Sequence, residues 1–329
     1  MNFRQIGLRS FLILGLFLGL KTSVKADQNS DFIAQANADF QTVANFVNGP
    51  FSNSLGFFTG LGWNTNPTVY DLGLGLGPHF SVGFAAGADF IGLPNMNSLN
   101  LPVVSASANF SLPSGVPLPY PVITARIGLF NGFDAGFRYT YLPPINGGNF
   151  GGNFSGWGID LRYKIFDGLT APTVTLSTSF DSMSGTFNVS TANINQSGTY
   201  TDNGTQYNST LSGNSNYALN WNTRSMGAKI SIGKSLGVFY PYASIGFQRN
   251  SGAITSTITG NFTETLSNGG TTSSSTFNTT DVAAGAPVVL EPKYVLGLDL
   301  GGGPGLQIAV VGESNGTDLA GALTLSAGF

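Results

Sequence analysis

Arg126, Asp134, Arg138, Asp160, Arg162 and Lys164 stand close together in a chain of 329 residues that is otherwise poor in charge. Asp, Glu, Lys and Arg make up 9% of it, against about 25% in ordinary soluble domains. Fixed cations that outnumber the acids beside them do one of two things. Lining a passage, they favour anions; within reach of the acids, they form a closed network that fills an interior. Acid–base and covalent chemistry has less to work with. His79 is the only histidine and follows Gly77-Pro78, which reads as a turn. A serine hydrolase would lack a placed base, and no His-based metal site can be assembled from one residue. Cysteine is absent, which removes thiolate nucleophiles, disulfides and thiolate-bound metals. "GLGLGP" at 73–78 and "GLDLGGGPG" at 297–305 have the glycine of phosphate loops but neither the lysine nor the following helix. These residues predict no enzyme, no cofactor and no metal.

Alternation is what positions the six charges. In "GFDAGFRYTYL", Phe133, Ala135, Phe137, Tyr139 and Tyr141 take one face of a strand, and Asp134, Gly136, Arg138 and Thr140 the other. "WGIDLRYKIF" repeats the pattern, with Trp157, Ile159, Leu161, Tyr163 and Ile165 against Asp160, Arg162 and Lys164. Ile123, Ala125, Ile127 and Leu129 set Arg126 opposite them in the same way. The period-two template fits 68–77, 79–90, 100–111, 119–130, 132–142, 154–165, 172–188, 216–232, 238–256, 284–300, 304–312 and 318–329. No stretch after residue 26 is apolar enough for a membrane helix. The expected fold is all-β, a transmembrane antiparallel up-and-down β-barrel of about 12 strands (range about 10–14) with a short N-terminal helical segment.

Barrels of this class put short turns on the periplasmic side and long loops outside. With both chain ends periplasmic, "IGLPNMNSLN", "NG" at 131–132, "DGLTAP", "KSLG" and "GGGPG" become the periplasmic turns. The polar segments near 189–215 and 257–283 become long outer loops. A Lys or Arg on the lipid face near the midplane costs about 2–4 kcal/mol, so the few cations belong inside or at the rims.

Residues 1–26 read as a signal peptide: Arg4 and Arg9, an apolar run from Phe11 to Leu20, then Val24 and Ala26 before the cut. Its removal leaves nine Lys and Arg against 16 Asp and Glu, a net charge of −7, which argues against nucleic acid. An N-terminal segment, 27–67, then precedes a barrel over 68–329. In it Phe32, Ile33, Ala36, Phe40, Val43, Ala44 and Val47 recur at helical spacing as far as Gly49-Pro50, where the helix is expected to end. Folded into the lumen as a plug, the segment would present Phe32, Phe40, Val43 and Val47 to the wall and bring Asp31 and Asp39 to the inner cations. The alternatives are a lid on the periplasmic side and a mobile tail.

In "GALTLSAGF" the residues Leu319, Gly321, Leu323, Leu325, Ala327 and Phe329 take every second place, so lipid would cover the Leu-bearing face and the first strand would pair with the last. Leu323, Leu325 and the terminal Phe329 resemble the C-terminal signature read by the barrel-assembly machinery of bacterial outer membranes. Between about 46 and 145, Gly62-Trp63-Asn64-Thr65 and the Gly-Phe-Asp-Ala-Gly-Phe-Arg-Tyr stretch from Gly132 are similar to a family of bacterial outer-membrane proteins known as a domain of unknown function. That resemblance implies location and barrel shape and brings no substrate. A secreted soluble β-sandwich would explain the polar segments but not the apolar, alternating ending. The expected protein sits in the outer membrane of a Gram-negative bacterium, with lipid, the assembly machinery and small solutes as partners. It acts as a passive pore or transporter or, alternatively, as a structural or surface-interaction protein through 189–215 and 257–283. An open lumen favours the first; a filled lumen with ordered outer elements favours the second.

Overall fold

Alternating strands that pair with both neighbours leave no edge once the last meets the first. In a computed structural model the protein does this. The structure describes residues 28–63, 68–69, 80–92, 115–147, 150–167, 171–202, 205–268, 270–301 and 305–329. One helix, α1 (Gln28–Thr59), is followed by β1 (Phe80–Gly92), β2 (Gly115–Gly128), β3 (Phe133–Asn146), β4 (Phe150–Phe166), β5 (Thr173–Asp202) and β6 (Thr205–Gly233). Then come β7 (Phe239–Asn268), β8 (Thr271–Gly285), β9 (Leu290–Leu300), β10 (Gly305–Ser314) and β11 (Leu319–Gly328). Each strand from β1 to β7 is antiparallel to the next, β7 pairs β9, and β9, β10 and β11 follow in turn. β11 returns to β1, from Ser81↔Gly328 to Phe90↔Leu319. The ring is therefore closed and holds an even number of strands.

β8 stands outside that ring. β7 is 30 residues long; its first part pairs β9, Phe239↔Leu300 to Arg249↔Leu290, and its later part pairs β8, Ile254↔Gly285 to Asn268↔Thr271. β8 and β9 are thus one return path interrupted at 286–289, where Pro287 has no N–H for a ladder. There Asn250 bridges the gap, its backbone N donating to Val289 O at 2.8 Å and its Nδ2 to Val288 O at 3.0 Å. Of the expected spans, 100–111 and all of 68–77 beyond Val69 lie outside the described residues, as does His79. The ring closes without them. β1 pairs β2 directly, from Phe80↔Ile127 to Gly92↔Gly115, so β1 ends on the side where the long hairpins stand. The β1 and β2 ends at Gly92 and Gly115 therefore stand opposite the Asn131-Gly132 turn, and residues 93–100 of the stretch expected as a periplasmic turn lie outside the described residues. The turn at Asn131-Gly132 is as expected: both residues have positive φ, 59° and 77°, and Phe133 N donates to Phe130 O at 3.3 Å.

The polar segments at 189–215 and 257–283 are not loops. β5 and β6 stay paired out to Asp202↔Thr205, and β6, β7 and β8 continue the sheet to Asn208↔Ser267 and Asn268↔Thr271. Ser, Thr and Asn give no apolar contrast between faces, yet Thr is a good strand former and the ladder needs only backbone.

Outside, the ring is apolar. Phe84, Ile123, Phe137, Ile159, Leu176, Ile230, Phe247, Leu296, Val310 and Leu323 are exposed, one from each strand of the ring. Aromatic side chains gather at the short-turn end, where Phe80, Phe130, Phe166, Phe239 and Phe329 are all exposed. So wide a band far exceeds the few hundred Å² of apolar patch found on soluble monomers.

Inside lies α1. Phe51, Leu55, Phe57 and Phe58, with Leu61 just beyond the helix, are buried among Tyr120, Phe154, Leu219, Trp221, Ile254 and Ile258. The helix runs straight through Gly49 and Pro50, where it was expected to stop. Pro50 removes one N–H from the helix ladder. Burial of the following Phe and Leu side chains, worth about 1.5–3 kcal/mol each, outweighs that loss. Among the described residues no helix is long and apolar enough to cross a membrane, which says nothing of the strands.

Candidate functional site

The inner wall and the segment it encloses form one network. Arg126 on β2 donates to Asp134 Oδ1 at 2.5 Å and to both oxygens of Asp160 at 2.7 Å. Arg162 on β4 meets Asp134 from the other side, Nε to Oδ1 at 2.8 Å and a terminal nitrogen to Oδ2 at 2.5 Å, and also donates to Thr68 O at 2.8 Å. Period two puts Arg126, Asp134, Asp160 and Arg162 on the inner face, and antiparallel register sets Asp134 opposite Arg162 and Gly136 opposite both Arg126 and Asp160. Gly136 is what lets them meet. A Cβ there would lie 2.0 Å from Asp160 Oδ1 and 2.6 Å from an Arg126 nitrogen.

Arg138 on β3 turns to the enclosed segment. Its Nε donates to Asp181 Oδ1 on β5 at 2.7 Å, while its two terminal nitrogens donate to Leu61 O and Thr59 O. Trp63 packs under the guanidinium, 5.3 Å from ring centroid to Cζ, and its Nε1 donates to Asp181 at 3.1 Å. Gly158 clears the space for this pair, since a Cβ would fall 2.0 Å from Asp181 Oδ1. Across the lumen Lys293 on β9 donates to Gly60 O at 2.6 Å and pairs with Glu313 on β10 at 2.9 Å, and Gln248 on β7 donates to Gly56 O at 3.0 Å. The free carbonyls at the carboxyl end of α1 are thus met by two cations and an amide. That is where a helix carries its partial negative charge.

Further polar contacts tie the helix flanks: Ser54 Oγ to Asp318 Oδ1 at 2.9 Å, Thr59 to Thr223 at 2.6 Å, and Ser256 Oγ to Asn48 Oδ1 at 2.7 Å. Lys164 does not enter the network. It stays at the rim, partly exposed, 3.4 Å from Asp167. Phe32, Phe40, Val43 and Val47 all fall on α1, and their side chains lie outside what the structure describes, as do those of Asp31 and Asp39. Leu323, Leu325 and Phe329 point outward and are exposed. Phe329 also closes the seam, its backbone exchanging hydrogen bonds of 2.8 and 3.1 Å with Phe80.

Sequence reading missed Asp181, Lys293, Glu291, Glu313 and Asp318. The signal was there for Lys293 and Glu291, because Tyr294, Leu296 and Leu298 are apolar on the opposite parity. For Asp181 it was thinner: Val174, Leu176 and Phe180 take the opposite parity, but Ser and Thr stand on both faces of β5 and dilute the contrast. Counting the inner charges of β2 to β4 alone gave an excess of cations. With Lys164 at the rim and Asp181 supplied by β5, Arg126, Arg138 and Arg162 face Asp134, Asp160 and Asp181 in balance. Among the described residues no group of three or more His, Cys, Asp or Glu is arranged to hold a metal ion.

A model of a family of unknown function (DUF6588) matches residues 85–291. No curated protein matches the chain. Solved structures similar to it include the translocator domain of the autotransporter NalP from Neisseria meningitidis, at 9% identity and a TM-score of 0.28, covering 78% of this chain and 90% of that one. The toluene transporter TodX of P. putida is similar at 8% identity and a TM-score of 0.28, with 78% and 91% covered. Ail, the attachment invasion locus protein of Yersinia pestis, is similar at 11% identity and a TM-score of 0.23, with 77% and 98% covered. Identities and scores this low bring no function with them.

Proposed function

The chain belongs to this DUF6588 family of unknown function, and we propose that the protein is a plugged outer-membrane β-barrel, closed to solutes at rest and acting through the hairpins on its outer face. The observation that carries this is the filled lumen: α1 lies inside the ring with Phe51, Leu55, Phe57 and Phe58 buried and its last carbonyls met by Arg138, Lys293 and Gln248. A standing pore for small solutes needs a continuous polar passage, and the wall charges that would line one are spent on each other and on the segment. The exposed apolar band supports lipid as the solvent of the outer face. Export through residues 1–26, delivery to the bacterial outer membrane, and recognition of Leu323, Leu325 and Phe329 by the assembly machinery belong to the same reading. The sheet formed above the ring by β5, β6, β7 and β8 is the element left to meet a partner.

Planar-bilayer recording tests it. The full chain should give no steady conductance steps, while a chain lacking residues 28–63 but keeping the export signal should insert and conduct. Steady steps from the full chain would return the protein to the class of passive pores.

A further inference from the structure

The direction of α1 is fixed by contacts from Gln41 to Gly56. β7 runs from the short-turn end at Phe239 to the hairpin tip at Asn268, and serves as a ruler. Gln41 donates to Val282 O, whose residue pairs with Thr257; Asn48 accepts from Ser256; a Cβ on Gly56 would touch Asn250; and Gly56 O accepts from Gln248. The chain therefore descends β7 as its own numbering rises, and past the helix Thr68 reaches Arg162, whose partner Asp134 lies beside the short turn at Asn131-Gly132. Electrostatics agrees with the geometry. Arg138 and Lys293 sit against the carboxyl-end carbonyls, where the helix is partially negative, and a reversed helix would turn its partially positive end on both cations.

From this we infer that the amino end of the exported chain emerges on the long-hairpin face, outside the cell and beside the β5–β6 and β7–β8 hairpins, rather than on the periplasmic side. This rests on the outer-membrane reading above, in which the short turns face the periplasm. The outer face then carries three elements, and the amino-terminal one is anchored through the lumen to the inner wall.

The chain has no cysteine, so single cysteines report position cleanly. Ala38→Cys lies on the exposed side of α1 near its amino end, Asn208→Cys is exposed in β6 towards the hairpin tip, and Ser235→Cys is exposed in a short turn. A membrane-impermeant maleimide applied to intact cells should label Ala38→Cys and Asn208→Cys, and Ser235→Cys only after the outer membrane is opened. Labelling of Ala38→Cys that appears only together with Ser235→Cys, while Asn208→Cys labels in intact cells, would overturn the inference and leave the barrel reading standing. Protection of Asn208→Cys in intact cells would instead sink the orientation on which the inference depends.

Discussion

Arg138 makes three kinds of contact that a single substitution removes together: its pair with Asp181, its bonds to Thr59 O and Leu61 O, and its stacking on Trp63. Arg138→Gln should destabilise the barrel by about 3–5 kcal/mol, because Asp181 is then left charged, buried and unpaired. Adding Asp181→Asn should recover much of that loss, since an uncharged pair has no bare carboxylate to accommodate. Denaturant unfolding of the refolded protein in micelles checks both. A single variant as stable as the wild type would mean the pair is not desolvated. The arginine was legible in the sequence and its task was not. Alternation placed Arg126, Arg138 and Arg162 on the face opposite Phe, Tyr, Ile and Leu. Which acid each arginine meets depends on strand register and on a residue, Asp181, supplied by β5 two strands away from Arg138, a pairing that only the closed sheet sets.

At the scale of the element, the strands with an apolar face were readable and the others were not. β3, β4 and β11 fall where period two put them, whereas the upper parts of β5 to β8 looked like loops because Ser, Thr and Asn occupy both faces. The helix was found, but its end was misplaced. A Gly-Pro stop is a local signal, and the burial of Phe51, Leu55 and Phe58 that carries α1 through it is supplied by strands far along the chain. β11 illustrates how much can rest on one terminal residue. Phe329 supplies the last two backbone bonds of the seam to Phe80 and an exposed ring in the short-turn girdle. Deleting Phe329 should therefore lower the fraction of heat-modifiable barrel in the outer membrane and raise the periplasmic fraction. An unchanged partition would show that β1 and β11 hold without it.

For the whole molecule the decisive quantity is the balance of buried charge. Among the described residues, the cations turned to the interior are Arg126, Arg138, Arg162, Lys229 and Lys293. Against them stand the buried acids of the ring and its turns, Asp89, Asp134, Asp160, Asp181, Glu291, Asp299, Glu313 and Asp318, a clear excess of acid. The anion preference expected from three strands does not survive this wider inventory. A barrel emptied by deleting residues 28–63 should prefer cations in reversal-potential measurements across a salt gradient. Anion selectivity in that variant would mean that the acids are protonated or withdrawn from the passage. Locally, sequence shows which residues point inward; the sign of the interior is a sum over ten strands and a helix, and only the closed ring brings its terms together.

A helix held in a closed ring also raises a question of entry. Once β1 and β11 have joined, a segment bearing Phe51, Phe57 and Phe58 has no side door and would have to be drawn lengthwise past Tyr120, Phe154 and Trp221. α1 leans chiefly on β6, β7 and β8, across the ring from the seam. The sheet can thus be wrapped round a helix already in place, with no threading, and the strand made last is also the one that shuts the wall. The chain lacking Phe329 would then stall as an open sheet that already shelters α1 from protease, whereas a threaded helix would be cut.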